Sequence, residues 1–276
     1  ATLNGGANDA GTIYKLEANG AYSILHHFSA ETGFPLALLL ASDGFLYGSS
    51  YFGEEIFRLS KDGVEFVTLT NLNAAPVGPL IEGSDFLLYG VTEDGGVNEL
   101  GSVFSLNADG TDLRTIHSFT NGSTALVAPS GILEASDGKL YGAALRGGVN
   151  NRGMVFQMNK NGSQYAVLHS FPAGGPLISP NPLLAAGDGF LYGTTRLGGA
   201  NGQGSIYRIS TAGAYQLLHS FASDKGRPVG ALAQGPDGWL YGVTEDSGTF
   251  DGGNLFRFRT GATTAVHVLH NFGAGL

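Results

Sequence analysis

What most constrains this chain is that it repeats itself. A Leu-Tyr-Gly triplet occurs five times, at Leu46-Tyr47-Gly48, Leu88-Tyr89-Gly90, Leu140-Tyr141-Gly142, Leu191-Tyr192-Gly193 and Leu240-Tyr241-Gly242. Its tyrosines are 42, 52, 51 and 49 residues apart. An Asp-containing turn precedes each triplet, at Asp43, Asp85, Asp137, Asp188 and Asp237. An aliphatic-aromatic pair recurs six times, at Ile13-Tyr14, Ile56-Phe57, Val103-Phe104, Val155-Phe156, Ile206-Tyr207 and Leu255-Phe256. Each unit closes on a segment such as Leu168-His169-Ser170-Phe171 or Leu218-His219-Ser220-Phe221. Self-similarity at this period is the signature of a repeat architecture and takes precedence over any local motif.

Each unit reads as four short strands punctuated by turn residues, with no helical period of useful length. Strand a is the apolar run after a proline, as in residues 35–41 or 180–186, and strand b is the Leu-Tyr-Gly segment. Strand c holds the aliphatic-aromatic pair and strand d ends in Leu-His-Ser-Phe. Four strands per unit of about 50 residues describe a β-propeller blade, whereas solenoid repeats are usually shorter. Strands c and d occur six times, strands a and b five times, and Ala1-Thr2-Leu3 resembles the tail of a strand b. The expected fold is therefore an all-β, six-bladed propeller with an incomplete first blade, from a chain that is a fragment of a longer protein. A five-bladed ring with an N-terminal appendage is the alternative. The blades of this single domain fall at residues 1–34 (partial), 35–75, 76–127, 128–178, 179–226 and 227–276.

Composition removes several function classes. Charged residues are 13% of the chain, and 14 Lys and Arg against 23 Asp and Glu give a net charge of −9, so the basic footprint of a nucleic-acid binder is missing. No apolar run is long enough for a membrane-spanning helix. The absence of cysteine excludes disulfides, thiolate metal sites and Cys nucleophiles. No His-Glu-x-x-His, Gly-x-Ser-x-Gly or phosphate-loop motif occurs.

The succession Asp-Gly-x-Leu-Tyr-Gly-Thr-Thr, Gly-Gly-x-Asn, Gly-x-Val-Phe and Leu-His-Ser-Phe, best kept in residues 189–221, resembles the GloVer-type tandem repeats of secreted bacterial proteins. More distantly it is similar to the blades of streptogramin-lyase-type propellers. The resemblance covers essentially the whole chain. It implies an exported, propeller-like protein, extracellular or at the cell surface, and it carries over no catalytic residue.

Loop length indicates where function would sit. The a–b and c–d turns are tight, whereas the b–c and d–a loops are long and polar, and long loops on a rigid scaffold collect binding residues. Repeated residues read as structural: His26, His117, His169, His219 and His270 hold one repeat position and are expected to make a hydrogen bond at the end of strand d. The Gly-Gly-x-Asn loops read chiefly as turns; a calcium ion is conceivable there, but no calcium-loop motif supports it, and no cofactor is expected.

Breaks in the repeat are the functional candidates. The second unit has a b–c loop of only residues 49–54 and carries Thr70 where others carry His. A notch is expected there, lined by His27, Tyr51, Glu54, Asn71 and Asn73. Glu93, Asp94, Arg146, Arg196, Glu245 and Asp246 occupy the corresponding loop entrances of other blades. Two functions follow from different classes. One is a binding or scaffold module that recognises a polysaccharide or protein ligand through Tyr51, Glu54, Asn71, Asn73, Glu93, Asp94 and Glu245. The other is a polysaccharide lyase or glycoside hydrolase, in which His27 and Tyr51 would be base and acid and Arg146 or Arg196 would hold a uronate carboxylate.

Overall fold

The computed structural model describes residues 1–120, 126–173, 178–222, 226–246, 251–260 and 265–273. Among the described residues there is no α-helix, and the 22 strands are grouped into six sheets. The first sheet has two strands, β1 (Thr12–Leu16) and β2 (Tyr22–His27). Five four-stranded sheets follow, each antiparallel and each in simple sequence order. The second holds β3 (Leu39–Leu40), β4 (Leu46–Ser50), β5 (Glu55–Leu59) and β6 (Phe66–Asn71). The third holds β7 (Pro76–Glu82), β8 (Leu88–Thr92), β9 (Ser102–Leu106) and β10 (Arg114–Ser118). The fourth holds β11 (Pro129–Glu134), β12 (Leu140–Ala144), β13 (Met154–Met158) and β14 (Ala166–Ser170). The fifth holds β15 (Leu184–Ala185), β16 (Phe190–Thr195), β17 (Ser205–Ser210) and β18 (Tyr215–Ser220). The sixth holds β19 (Pro228–Gln234), β20 (Trp239–Thr244), β21 (Asn254–Arg259) and β22 (His267–Asn271). The chain clusters into two compact units, Ala1–Thr120 with the first three sheets and Asn121–Leu276 with the last three.

The sheets coincide with the repeat. β1 and β2 share the register slip seen between strands c and d of later blades, at Ile13/Tyr14 as at Ile56/Phe57, Val155/Phe156 and Ile206/Tyr207. They are therefore the outer half of a blade. The inner strands β3 and β15 are only two residues long, with single bridges from Pro35 to Ser50 and from Pro180 to Thr195 marking their far ends.

Two devices shape each blade. The Asp of the a–b turn accepts a backbone N–H two residues on and, through its other oxygen, the hydroxyl of the strand-b tyrosine. These Tyr-to-Asp bonds measure 2.6 Å (Tyr47–Asp43), 2.7 Å (Tyr141–Asp137), 2.8 Å (Tyr192–Asp188) and 3.1 Å (Tyr241–Asp237). Burial and the aspartate together push the Tyr47 phenol up to about 12. Next along strand b is the glycine, over which the strand-c aromatic lies. A Cβ on Gly48 would stand 2.5 Å from Cζ of Phe57, and Gly90, Gly142, Gly193 and Gly242 meet Phe104, Phe156, Tyr207 and Phe256 in the same way.

The core runs between adjacent sheets within each unit. In the first unit one cluster joins Ile13 and Phe28 to Phe57 and Leu59, and another joins Tyr47 and Ile56 to Leu80, Leu88 and Phe104. In the second unit Tyr141, Val155 and Phe171 pack on Leu191, Tyr207 and Ile209, while Tyr192, Ile206 and Phe221 pack on Leu240, Phe256 and Phe258. Each fully buried ring contributes about 1.5–3 kcal/mol by removal from water.

The repeated histidines do not play the expected hydrogen-bonding part throughout. His26 stacks on Phe66 at 3.7 Å and His169 on Tyr215 at 3.9 Å, each a ring of the following blade. Both also stand edge-on to the phenylalanine two residues later, as do His117, His219 and His270. Nε2 of His169 is buried without a partner, so this imidazole serves as an aromatic face.

Candidate functional site

In a four-stranded antiparallel sheet of sequential order, the b–c and d–a loops emerge at one end. Four of these b–c loops are built alike: Gly5-Gly6-Ala7-Asn8, Gly95-Gly96-Val97-Asn98, Gly147-Gly148-Val149-Asn150 and Gly198-Gly199-Ala200-Asn201. The asparagine amides Nδ2 of Asn8, Asn98, Asn150 and Asn201 donate to the carbonyls of Phe28, Phe119, Phe171 and Phe221 at 2.9–3.2 Å. The N–H groups of Val97, Val149 and Ala200 donate to Oγ of Ser118, Ser170 and Ser220 at 3.1 Å. Glycine is needed in the second position, where φ is positive and a Cβ would press on that serine. The polar groups of these loops thus clamp each loop onto its own blade.

His27 belongs to this clamp. Its Nδ1 accepts the N–H of Ala7 at 3.1 Å, the task that serine performs in the other blades. The proton of the neutral ring therefore sits on Nε2, and the ring is tied to the first blade rather than to the shortened loop.

At the shortened loop the chain closes on itself. Leu72 N–H donates to the carbonyl of Glu54, Asn71 Nδ2 to that of Gly53 at 3.2 Å, and Asn73 N–H to Oδ1 of Asn71 at 2.8 Å. Glu54 and Asn73 both have positive φ, as the tight path requires. Asn71 and Asn73 are exposed whereas Ser118, Ser170 and Ser220 are half-buried, as the loop deletion implies. Tyr51 donates its hydroxyl to Oε2 of Glu93 at 3.1 Å, and that bond pushes the phenol above its ordinary range. Asp94 is used structurally, accepting Ala75 N–H at 2.7 Å.

Two aromatic residues that the repeat analysis did not single out as ligands join Tyr51. Phe52 lies edge-on to it at 5.5 Å and packs against Phe34 at 4.5 Å, yet Phe52 remains 56% exposed. Their signal was present in the sequence: Phe34 precedes the proline of strand a, where later blades hold Ala75, Ala128, Ser179 and Arg227. Beneath the loop Glu55 is buried, with Oε2 accepting the Thr68 hydroxyl at 3.1 Å, and desolvation raises its carboxyl. The corresponding strand-c starts are Thr12, Ser102, Met154, Ser205 and Asn254.

In the second unit the loop entrances carry ion pairs. Arg196 clamps Glu245 through Nε at 2.9 and 3.0 Å and through Nη2 at 2.5 Å, and Arg227 reaches Asp246 at 2.8 Å. The half-buried Arg146 gives its backbone N–H to the carbonyl of Val127. The expected notch is not the roomiest hollow. Asn73 lines a cavity of about 140 Å³ with Gly95, Gly96 and Glu99, whereas one of about 650 Å³ opens in the second unit between Phe171, Ile178, Gly198 and Tyr215. Two residues on its wall, Ala173 and Ile178, border residues 174–177, outside the described set. Among the described residues no three His, Asp or Glu side chains are grouped to hold a metal ion, and no helix is long and apolar enough to cross a membrane.

Blades of this topology, with strand-b glycines under strand-c aromatic rings and the b–c and d–a loops at one end of each sheet, define a β-propeller. Residues 1–176 and again 78–275 match the Gloeobacter/Verrucomicrobia repeat, and the chain belongs to that family. Solved structures agree on the fold. Virginiamycin B lyase from Staphylococcus aureus is 19% identical with a TM-score of 0.71, over 96% of this chain and 80% of that one. A chain of a nidogen/laminin complex is 16% identical with a TM-score of 0.61, over 89% and 84%. The gluconolactonase XC5397 from Xanthomonas campestris is 14% identical with a TM-score of 0.58, over 85% and 75%. No curated protein matches the chain in sequence. At these identities the likeness concerns fold, and the same scaffold serves both enzymes and a complex between proteins.

Proposed function

We propose that this chain is an exported binding module, extracellular or at the cell surface, that recognises a carbohydrate through the loop end of its second and third blades. The observation that supports this reading is the exposed Phe52 ring, braced by Phe34 and Tyr51, with the Glu93 carboxylate at the Tyr51 hydroxyl. An aromatic face offers stacking to the C–H side of a sugar ring, and a carboxylate accepts hydrogen bonds from its hydroxyls. The Asn73 amide, exposed on the d–a loop of the second blade, adds a donor and an acceptor. Loops clamped by their own hydrogen bonds keep such a surface pre-organised, which lowers the entropic cost of binding.

The lyase reading has less support. Its base, His27, is engaged by Ala7 N–H, and one of its two candidate arginines, Arg196, is engaged by Glu245. A glycan array followed by calorimetric titration tests the proposal on the parent chain and on Phe52→Ala and Glu93→Gln. The parent is expected to bind, and Phe52→Ala to weaken binding about tenfold, the equivalent of ~1.4 kcal/mol. Undiminished binding by Phe52→Ala would place the site elsewhere. Unsaturated product formed from a uronate polysaccharide would establish the enzyme instead.

A further inference from the structure

The sixth sheet departs from the repeat at two positions, and the departures meet around the chain's single tryptophan. In the second and fifth blades a strand-c arginine lies over the ring that opens the Leu-Tyr-Gly segment, Arg58 over Phe45 at 4.7 Å and Arg208 over Phe190 at 4.3 Å. Each of these arginines also has an acceptor in its own blade. Nη2 of Arg58 donates to Oε1 of Glu65 at 2.8 Å, and Nε of Arg208 to Oε1 of Gln216 at 2.9 Å. Arg257 keeps the ring, with Cζ 4.3 Å from the centroid of Trp239, but lacks the acceptor, because His267 takes the place in register that Gln216 holds. The second departure adds a cation. Two residues further along strand c, Asn107, Asn159 and Ser210 use their side chains to build the c–d turn. In the sixth blade that place belongs to Arg259, whose Cζ is 4.8 Å from the same tryptophan ring.

Nothing in the blade neutralises this pair. Among the described residues no carboxylate lies within ion-pairing distance of Arg257 or Arg259. The acid of the adjoining turn, Asp237, uses one oxygen on Trp239 N–H and the other on the Tyr241 hydroxyl. Nε of Arg257 is buried without a partner, as is that of Arg58, but Arg58 has Glu65 on its Nη2. His267 stands edge-on to Trp239 at 5.5 Å, so a third nitrogen-bearing side chain joins the group. Arg259 and His267 are exposed and Trp239 and Arg257 half-buried, so the group is open to solvent. The charge around it is also favourable to an anion: residues 121–276 carry 10 Lys and Arg against 8 Asp and Glu, whereas residues 1–120 carry 4 against 15.

We infer that Arg257, Arg259 and His267, gathered on Trp239, form a binding site for a tetrahedral oxyanion, the sulfate or phosphate group of a monoester. The ring holds each guanidinium by its face, which leaves the N–H edges for a ligand and reduces the side-chain freedom lost on binding. An oxyanion accepts charge-assisted hydrogen bonds from two such forks and relieves the repulsion between two like charges that share one ring. A monoester has three free oxygens for two forks and an imidazole, whereas a carboxylate has two. The site lies in one sheet, β20, β21 and β22, and is separate from the aromatic surface of the second blade.

Because Trp239 is the only tryptophan, its fluorescence reports on this site alone. The chain is titrated with glucose 6-sulfate, glucose 6-phosphate, inorganic sulfate, inorganic phosphate, acetate and glucose, at an ionic strength held constant with sodium chloride. At least one monoester should change the emission saturably, and the tighter of the two identifies the oxyanion; glucose should have no effect. Arg259→Ser and His267→Gln install residues that the repeat itself uses at these places, Ser210 and Gln216, so both variants should keep the parent's far-UV circular dichroism. Arg259→Ser removes one fork and His267→Gln gives Arg257 an internal acceptor, and each should weaken binding about tenfold. No saturable response to either monoester, binding of the free ions alone, an equal response to acetate, or undiminished binding by either variant would overturn the proposal.

Discussion

Tyr207 bears a hydroxyl where the other complete blades carry phenylalanine. Phe57, Phe104, Phe156 and Phe256 fill the same place over a strand-b glycine, and the added oxygen of Tyr207 is buried without a hydrogen-bond partner. Burial drives that phenol far above its ordinary range. An unsatisfied buried hydroxyl costs about 1–3 kcal/mol. Tyr207→Phe should therefore stabilise the chain by about 1 kcal/mol in urea unfolding, and a neutral or destabilising result would show that the hydroxyl is satisfied. Position and burial of this ring were legible in the repeat. Its orphaned oxygen was not, because a partner's absence depends on packing between sheets. The case of His27 is similar: its deviation from serine was visible, but only the 3.1 Å bond to Ala7 shows that the imidazole substitutes for a hydroxyl.

Among elements, strand b is the most narrowly specified. Its tyrosine is tied to the preceding turn, and its glycine lies under the next strand's aromatic ring. Gly142→Ala should cost roughly 1–3 kcal/mol, since the methyl group meets Phe156 on one side and the carbonyl of Gly131 on the other. Gly138→Ala, in the preceding turn, meets no close atom but strains a φ of +76°, so it should cost less, about 1 kcal/mol. Urea unfolding of the two variants checks the order. The sequence specified the number and order of strands because turn chemistry and apolar alternation are local. It overstated β3 and β15, whose runs after Pro35 and Pro180 look as apolar as any other but pair over only two residues. The candidate site was half legible for the same reason. The shortened loop and exposed Asn71 follow from counting residues, whereas the Phe34–Phe52 contact joins a d–a loop to a b–c loop and has no local signature.

For the whole molecule, half-buried imidazoles contribute to the response to acid. Desolvation holds His26, His117 and His169 below their ordinary pKa of 6.5. Their contribution is complete above about 6.5, the unfolded value. As pH falls through the folded values it is lost, because the unfolded chain takes up protons that the fold resists. Tm should therefore drop between pH 7 and 5, with a shallower slope for His169→Phe, which keeps a ring for Tyr215 to stack on. An identical slope in that variant would refute the assignment. Glu55 acts in the opposite sense, its raised carboxyl favouring the fold on protonation, so the difference between variant and parent is the quantity to read.

The residue following each strand b, namely Tyr51, Glu93, Leu145, Arg196 or Glu245, is fastened by its main chain, whose N–H reaches the carbonyl of Phe34, Ala75, Ala128, Ser179 or Arg227. Because that anchor is indifferent to side-chain identity, descendants of this gene can diverge at these five places one codon at a time, changing what the surface greets while inheriting the same scaffold.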